Sequence, residues 1–217
     1  MMKYPLITIY KSLYRAFGPQ HWWPARTKFE IIVGAILTQQ TTWKNVERAI
    51  KNLRKNHLLT IEGLANTPLK KIEELVQPAG YYRQKSKHLK EVSAYLLNHY
   101  QGNLKNFFKK GTKNSREELL ALRGVGKETA DSIFLYAGGK RIFVIDAYTR
   151  RVLSRLGLLQ ASDYDRIRMF FEDNLPREIK VYQEFHALLV KLGKDFCKKK
   201  PLCKLCPLNR LCLSQLK

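Results

Sequence analysis

Along most of this chain apolar residues recur at the three-to-four-residue spacing that lays one face of a helix against a core. Phe29 to Leu37 is a nearly continuous apolar run that follows a basic turn. In residues 43–55, Val46, Ile50 and Leu53 share a helical face, and Lys44, Lys51, Arg54 and Lys55 fall on the wet side. Thr67-Pro68 reads as an N-cap with proline at the first helical position, leading into Leu69 to Val76. Residues 86–97 predict another helix after the Gly80-Tyr81-Tyr82 turn. Ser115-Arg116-Glu117-Glu118 fits a capping box, with Leu119 to Leu122 supplying the apolar face that follows. Helical patterning resumes over Glu128 to Tyr136, Ala147 to Leu156, the stretch bracketed by Asp163 and Pro176, and residues 181–193. Arg141 to Ile145 looks extended, but it is too short and solitary for a sheet. The pattern predicts an all-α fold.

Composition adds a partner. The 217 residues suffice for one large domain or two small ones, and 45% apolar content supports a folded globule. Forty basic residues against 18 acidic ones give a formal charge of +22. Spread along the whole chain, that excess favours a polyanion, and nucleic acid above other polyanions. No segment approaches 18 consecutive apolar residues, so a membrane span is not expected. Met1 to Leu13 interrupts its apolar residues with Lys3, Pro5 and Lys11 and lacks the layout of a signal peptide. An intracellular, reducing location follows, where structural disulfides are disfavoured.

Three places concentrate chemistry. Leu122-Arg123-Gly124-Val125-Gly126-Lys127 lies between two helical runs. Glycines one residue apart permit a tight turn with outward amides, and the next helix adds its positive end. Such a hairpin suits a DNA phosphate, with Lys127 adding charge; an ordinary helix–helix turn is the plainer alternative. Asp146 stands alone as an acid among Lys140, Arg141, Arg150, Arg151 and Arg155. It suits a helix N-cap. It also suits a carboxylate aimed at DNA, where an anion stabilises a cationic sugar and orients a water. Cys197, Cys203, Cys206 and Cys212, with 5, 2 and 5 intervening residues, can wrap one metal centre. From spacing alone that centre is zinc or an iron–sulfur cluster.

These motifs, together with Ala35-Ile36-Leu37-Thr38-Gln39-Gln40-Thr41-Thr42 and Val144-Ile145-Asp146-Ala147-Tyr148-Thr149-Arg150-Arg151, resemble the endonuclease III superfamily of helix-hairpin-helix DNA glycosylases. The resemblance covers nearly the whole chain. It implies two helical lobes with a DNA and base cleft between them, residues 21–138 forming one and 1–20 plus 139–217 the other. It implies phosphate binding at Gly124, Val125, Gly126 and Lys127, and a catalytic role for Asp146. The four cysteines then imply a C-terminal iron–sulfur loop holding [4Fe–4S], with structural zinc as the alternative. The family tail has six, two and five intervening residues, so the first loop here is one shorter. That loop carries Lys198, Lys199 and Lys200, a positive edge for phosphate.

Bifunctional members place a lysine nucleophile just after the hairpin. Here Gly124-Val125-Gly126-Lys127-Glu128-Thr129-Ala130 puts glutamate in that place, and a carboxylate forms no Schiff base. Glu128 is a helix-start acid or a direct catalytic part. Trp22-Trp23-Pro24 and Gln39-Gln40-Thr41-Thr42-Trp43 resemble the 3-methyladenine glycosylase branch, whose aromatic side chains surround an extruded alkylated purine. A ring-methylated base is cationic, and stacking on indole gains about 0.5–2 kcal/mol. Gln40 matches the residue that fills the gap left by the flipped base, with Gln39 as a pocket neighbour. Trp22 and Trp23 also suit core packing, and either glutamine suits a cap. The resemblance therefore implies a monomeric, monofunctional glycosylase acting on double-stranded DNA with damaged bases. Its rivals are a glycosylase for oxidised or mismatched pyrimidines with lyase activity, and a non-catalytic DNA-binding relative.

Overall fold

The computed structural model describes residues 5–158 and 163–215; parts of the second expected lobe, at 1–4, 159–162 and 216–217, lie outside the described residues. No strand occurs among the described residues. The helices in chain order are α1 (Leu6–Phe17), α2 (Lys28–Leu37), α3 (Trp43–Lys55), α4 (Ile61–Asn66), α5 (Leu69–Val76) and α6 (Tyr82–Tyr100). There follow α7 (Leu104–Lys109), α8 (Thr112–Leu120), α9 (Lys127–Ser132), α10 (Ala147–Leu156), α11 (Tyr164–Asn174) and α12 (Ile179–Asp195). The chain forms two compact units, residues 25–140 and residues 1–24 with 141–217. The boundary at Pro24 and Ala25 puts Trp22 and Trp23 in the same unit as Asp146.

In the unit of residues 25–140, α2 is buried almost all round, as its apolar run requires. The longest helix, α6, sends two lysines to the ends of neighbours. Lys90 Nζ donates to the carbonyls of Ala65 and Thr67 at the close of α4. Lys85 Nζ donates to Leu37 O and Ala79 O, each at 2.8 Å. Both satisfy carbonyls that a helix end leaves open. Lys85 is 3% exposed, and burial pushes its ammonium down to about 8. Between about 8 and 10.5 the unfolded chain therefore holds a proton that the folded one has released, and this group's contribution to stability rises with pH across that window. Measured by denaturant unfolding, the stability gap between wild type and Lys85→Met is expected to widen from pH 8 to 10.5. A gap independent of pH refutes this.

Two local expectations fail. Thr67 does not cap α5, because Pro68 takes the N-cap place with no side-chain cap bond and Thr67 closes α4 instead. The Ser115–Glu118 capping box does not form, because the chain enters α8 earlier, at a Gly111 N-cap, and the Ser115 amide already bonds the Gly111 carbonyl. Ser115 is buried and its hydroxyl donates to Phe107 O at 2.9 Å, while Glu118 takes the Tyr100 hydroxyl and the Lys110 ammonium. Across the hairpin, Arg116 of α8 forms a two-pronged ion pair with Asp131 of α9, at 2.6 and 3.1 Å. The backbone then widens into a π-helical turn over Ile133–Ala137, all buried.

In the other unit, Leu6, Ile9 and Leu13 of α1 join an aromatic core. Phe143 stacks on Phe171 with centroids 4.1 Å apart, and both meet Phe185 edge-on. Ile142 to Ile145 is buried, so it delivers Asp146 to the start of α10 from a fixed base.

Candidate functional site

The hairpin between α8 and α9 turns at Gly124, whose φ of +77° is open to glycine and costly to other residues. A Cβ added there would lie 2.0 Å from His88 Nδ1 of α6, so the turn is seated on that imidazole. Burial pushes His88 down, partly opposed by Glu91. Gly126, the N-cap of α9, and Lys127 are exposed, as a phosphate site needs. Val125, expected in the same set, is 5% exposed and its amide donates to Leu122 O at 3.2 Å. It anchors the turn from below. Glu128 is exposed in the first turn of α9, where the helix dipole favours an acid.

The glutamines sit in the turn between α2 and α3. Gln40 is exposed with φ +52°, a sparsely populated conformation for a residue with a side chain. Gln39, expected as a pocket neighbour, has defined partners. Its Nε2 donates to Gly124 O at 2.8 Å and to Thr129 Oγ1 at 3.0 Å, committing its amide to the hairpin. Trp43 opens α3, half-buried, with Nε1 donating to Glu47 Oε1 at 2.8 Å. Tyr81, which the sequence patterning passed over, stands 62% exposed at φ +45° before α6. An exposed aromatic on constrained backbone can stack on a base. Its only sequence signal was the Gly80-Tyr81-Tyr82 turn.

Asp146 is the N-cap of α10: Oδ1 accepts the Thr149 amide at 2.7 Å. Oδ2 lies 3.7 Å from His186 Nε2 of α12, and the carboxylate side chain is only 13% exposed. Burial pushes its pKa up, but His186 and the Thr149 bonds more than offset this, leaving it below the ordinary carboxylate value. A carboxylate here stays ionised through the neutral range. The same α12 holds the segment before the tryptophans, since Glu184 Oε1 accepts the Gln20 backbone amide at 2.6 Å. Trp22 and Trp23 are both half-buried, ring centroids 5.1 Å apart, so neither is sealed in the core. Neither His186 nor Glu184 carried a signal in the linear chain.

The four cysteines are half-buried and occupy one neighbourhood. Burial raises the Cys206 thiol, and charges on Cys197, Cys212 and Cys203 raise it further. Arg155 clamps the loop: its guanidinium donates to Cys197 Sγ at 3.3 Å and to the carbonyls of Lys198 and Lys199, while its own carbonyl accepts Cys212 Sγ at 3.3 Å. A cation and a backbone amide (Leu208, on Cys206) directed at these sulfurs fit thiolate ligation. Among the described residues no three Cys, His, Asp or Glu side chains are grouped to hold a single ion. Lys198, Lys199, Lys200 and Lys204 are exposed around them.

Comparison with known proteins gives this geometry a context. Residues 33–177 match the family described as HhH-GPD superfamily base excision DNA repair protein. A candidate DNA repair glycosylase of Methanocaldococcus jannaschii is 50% identical over 210 residues, covering 95% of each chain. Endonuclease III of Thermotoga maritima is 28% identical over 185 residues, covering 85% of this chain and 82% of that one. The crystal structure of the Helicobacter pylori 3-methyladenine DNA glycosylase bound to 1,N6-ethenoadenine superposes with a TM-score of 0.79 at 31% identity, covering 88% of this chain and 98% of that one.

Proposed function

Because the chain belongs to the HhH-GPD superfamily of base excision DNA repair proteins, and is a DNA glycosylase by that membership, we propose that it is monofunctional and removes alkylated purines such as 3-methyladenine. The observation that carries the chemistry is Asp146, a nearly buried carboxylate held in its charged form within a chain of net charge +22. Hydrolysis of the N-glycosidic bond builds positive charge on the sugar as the base departs with the bonding pair. A fixed anion stabilises that charge and orients the water that adds to the sugar carbon. The bond to a ring-methylated purine is already weakened, so little help with the leaving group is needed.

In this proposal the hairpin at Gly124 and Gly126, with Lys127, holds a phosphate. Gln40 fills the gap left by the extruded base, and Trp43 with Trp22 or Trp23 receives it. The likeness to the 3-methyladenine glycosylase structure supports the alkylated purine as substrate. Glutamate at position 128, where bifunctional members carry lysine, supports base removal without strand cutting. Double-stranded DNA is the partner, the chain acts as a monomer, and its thiols call for a reducing compartment. Cys197, Cys203, Cys206 and Cys212 would hold a [4Fe–4S] cluster, whose part is to tie down the lysine-bearing loop, since glycosidic hydrolysis moves no electrons. Purified without oxygen, the protein is expected to contain about four irons per chain with a broad visible absorbance, both lost on Cys203→Ser. One zinc per chain in their place overturns the cluster.

A single-turnover panel of 3-methyladenine, 7-methylguanine, thymine glycol and G·T duplexes, read with and without alkali, tests the function. Release of the alkylated purine, with strand breaks only after alkali, is the expected result. A covalent adduct trapped by borohydride on the thymine glycol duplex would show a lyase instead.

A further inference from the structure

Gln39 directs its amide at the hairpin. Its Nε2 meets Gly124 O, a group that only accepts, so the nitrogen assignment of that amide is fixed by chemistry. The second hydrogen is taken by Thr129 Oγ1, a buried hydroxyl in the first turns of α9. Both donors of Gln39 are thus spent on the two sides of the hairpin. The next residue is Gln40, exposed and held in the left-handed region. On the opposite side of the same turn, Lys85 holds the Leu37 carbonyl. Within the turn, Asn45 Nδ2 donates to Thr41 Oγ1 at 3.2 Å.

We propose that Gln39 is a positioning residue that ties the base-displacing turn to the phosphate-gripping hairpin, so that a phosphate seated at Gly124 and Gly126 sets where Gln40 enters the duplex. This rests on the glycosylase function proposed above. The physical ground is preorganisation. Extruding a base costs a few kcal/mol, and a plug offsets that cost only if it is already ordered. A glutamine on a loose turn loses its own freedom on insertion and returns less. Gln39 removes that loss by fastening the turn to the element that grips the backbone. The unfavourable φ of Gln40 needs such an outside restraint to persist.

The test uses 3-methyladenine duplexes with 2-aminopurine as the neighbouring base, whose fluorescence rises as the stack opens. For Gln39→Ala, affinity for an undamaged duplex and melting temperature are expected to stay near wild type, because the hairpin itself is intact. The fluorescence rise and the single-turnover excision rate should both fall about tenfold, the worth of one or two hydrogen bonds. Placing the lesion opposite an abasic site, where less stacking and no pairing must be broken, should restore excision to within about twofold of wild type. Thr129→Val, which removes one acceptor at constant shape, should give a smaller loss that does not add to that of Gln39→Ala. Extrusion at the wild-type rate in Gln39→Ala overturns the brace. So does a loss of equal size on the unpaired lesion, which would mark a general structural role. Gln40→Ala separates the two levels. If it leaves extrusion unchanged, the function on which the brace rests is wrong; if it slows extrusion while Gln39→Ala does not, only the brace is wrong.

Discussion

Asp146→Asn is expected to lower the single-turnover excision rate about 10³-fold, while affinity for duplex DNA stays equal or becomes slightly tighter. The substitution separates two duties of one residue. Asparagine caps helices as well as aspartate does, so the amide of Thr149, now 2.7 Å from Oδ1, keeps its acceptor and α10 keeps its start. Stability should therefore shift by less than about 1 kcal/mol. What disappears is the charge, held in place beside His186 and below the ordinary carboxylate value. A depressed pKa means that the carboxylate's stabilising contribution is present above the ordinary carboxylate range and is lost only as pH falls below it. The excision rate should accordingly show no acid limb from Asp146 near neutrality. In the proposed complex, removing this anion relieves repulsion with phosphates, so binding should not weaken. Affinity must be compared at one salt concentration. Excision retained within tenfold of wild type removes Asp146 from the mechanism.

Helix positions were legible because burial wrote them into the spacing of apolar residues. Phe29 to Leu37 became α2, Val46, Ile50 and Leu53 became the inner face of α3, and Asp163 capped α11. What did not show was any polar residue whose role lies in tertiary contact. Ser115 looked like a cap, yet it is fully buried against Phe107 because the helix begins three residues earlier. Nothing in the spacing marked Lys85, which serves carbonyls in two other segments. The π turn at Ile133–Ala137 is apolar throughout, and such a run reads the same whether the bonding reaches back four residues or five.

The site divides in the same way. Gly124, Lys127, Asp146 and the cysteines stood out through local motif, since a tight turn, a solitary acid and clustered thiols are properties of neighbouring residues. Gln39 stood out for its neighbours, but the partners of its amide did not, because Gly124 and Thr129 lie far along the chain. His186 and Glu184 had no local mark at all. One sits beside Asp146 and the other anchors Gln20, both from a helix far along the chain whose spacing announces only a core face.

Asp131→Ala is expected to cost about 3–5 kcal/mol, because it breaks an ion pair whose carboxylate is fully buried. Asp131 is fully buried and its two oxygens take both prongs of Arg116, whose own side chain is 16% exposed. The pair joins α8 to α9 just behind the hairpin, so the loss falls on the element proposed to hold DNA. For a chain of this length each kcal/mol moves the melting temperature by about 2–4 °C, giving a fall of roughly 6–20 °C. Duplex affinity at temperatures where the variant is still folded should drop as well, because the two helices no longer fix the turn at Gly124. The double variant Arg116→Met with Asp131→Leu discriminates the cause. Replacing both charges by apolar groups of similar size removes the guanidinium together with its carboxylate and should recover most of the lost stability, since the net worth of a buried ion pair against well-packed hydrophobic residues is near zero. Thermal unfolding of the two variants decides the point. If the double variant melts as low as Asp131→Ala, the penalty lies in the packing of α8 against α9 and not in the broken ion pair.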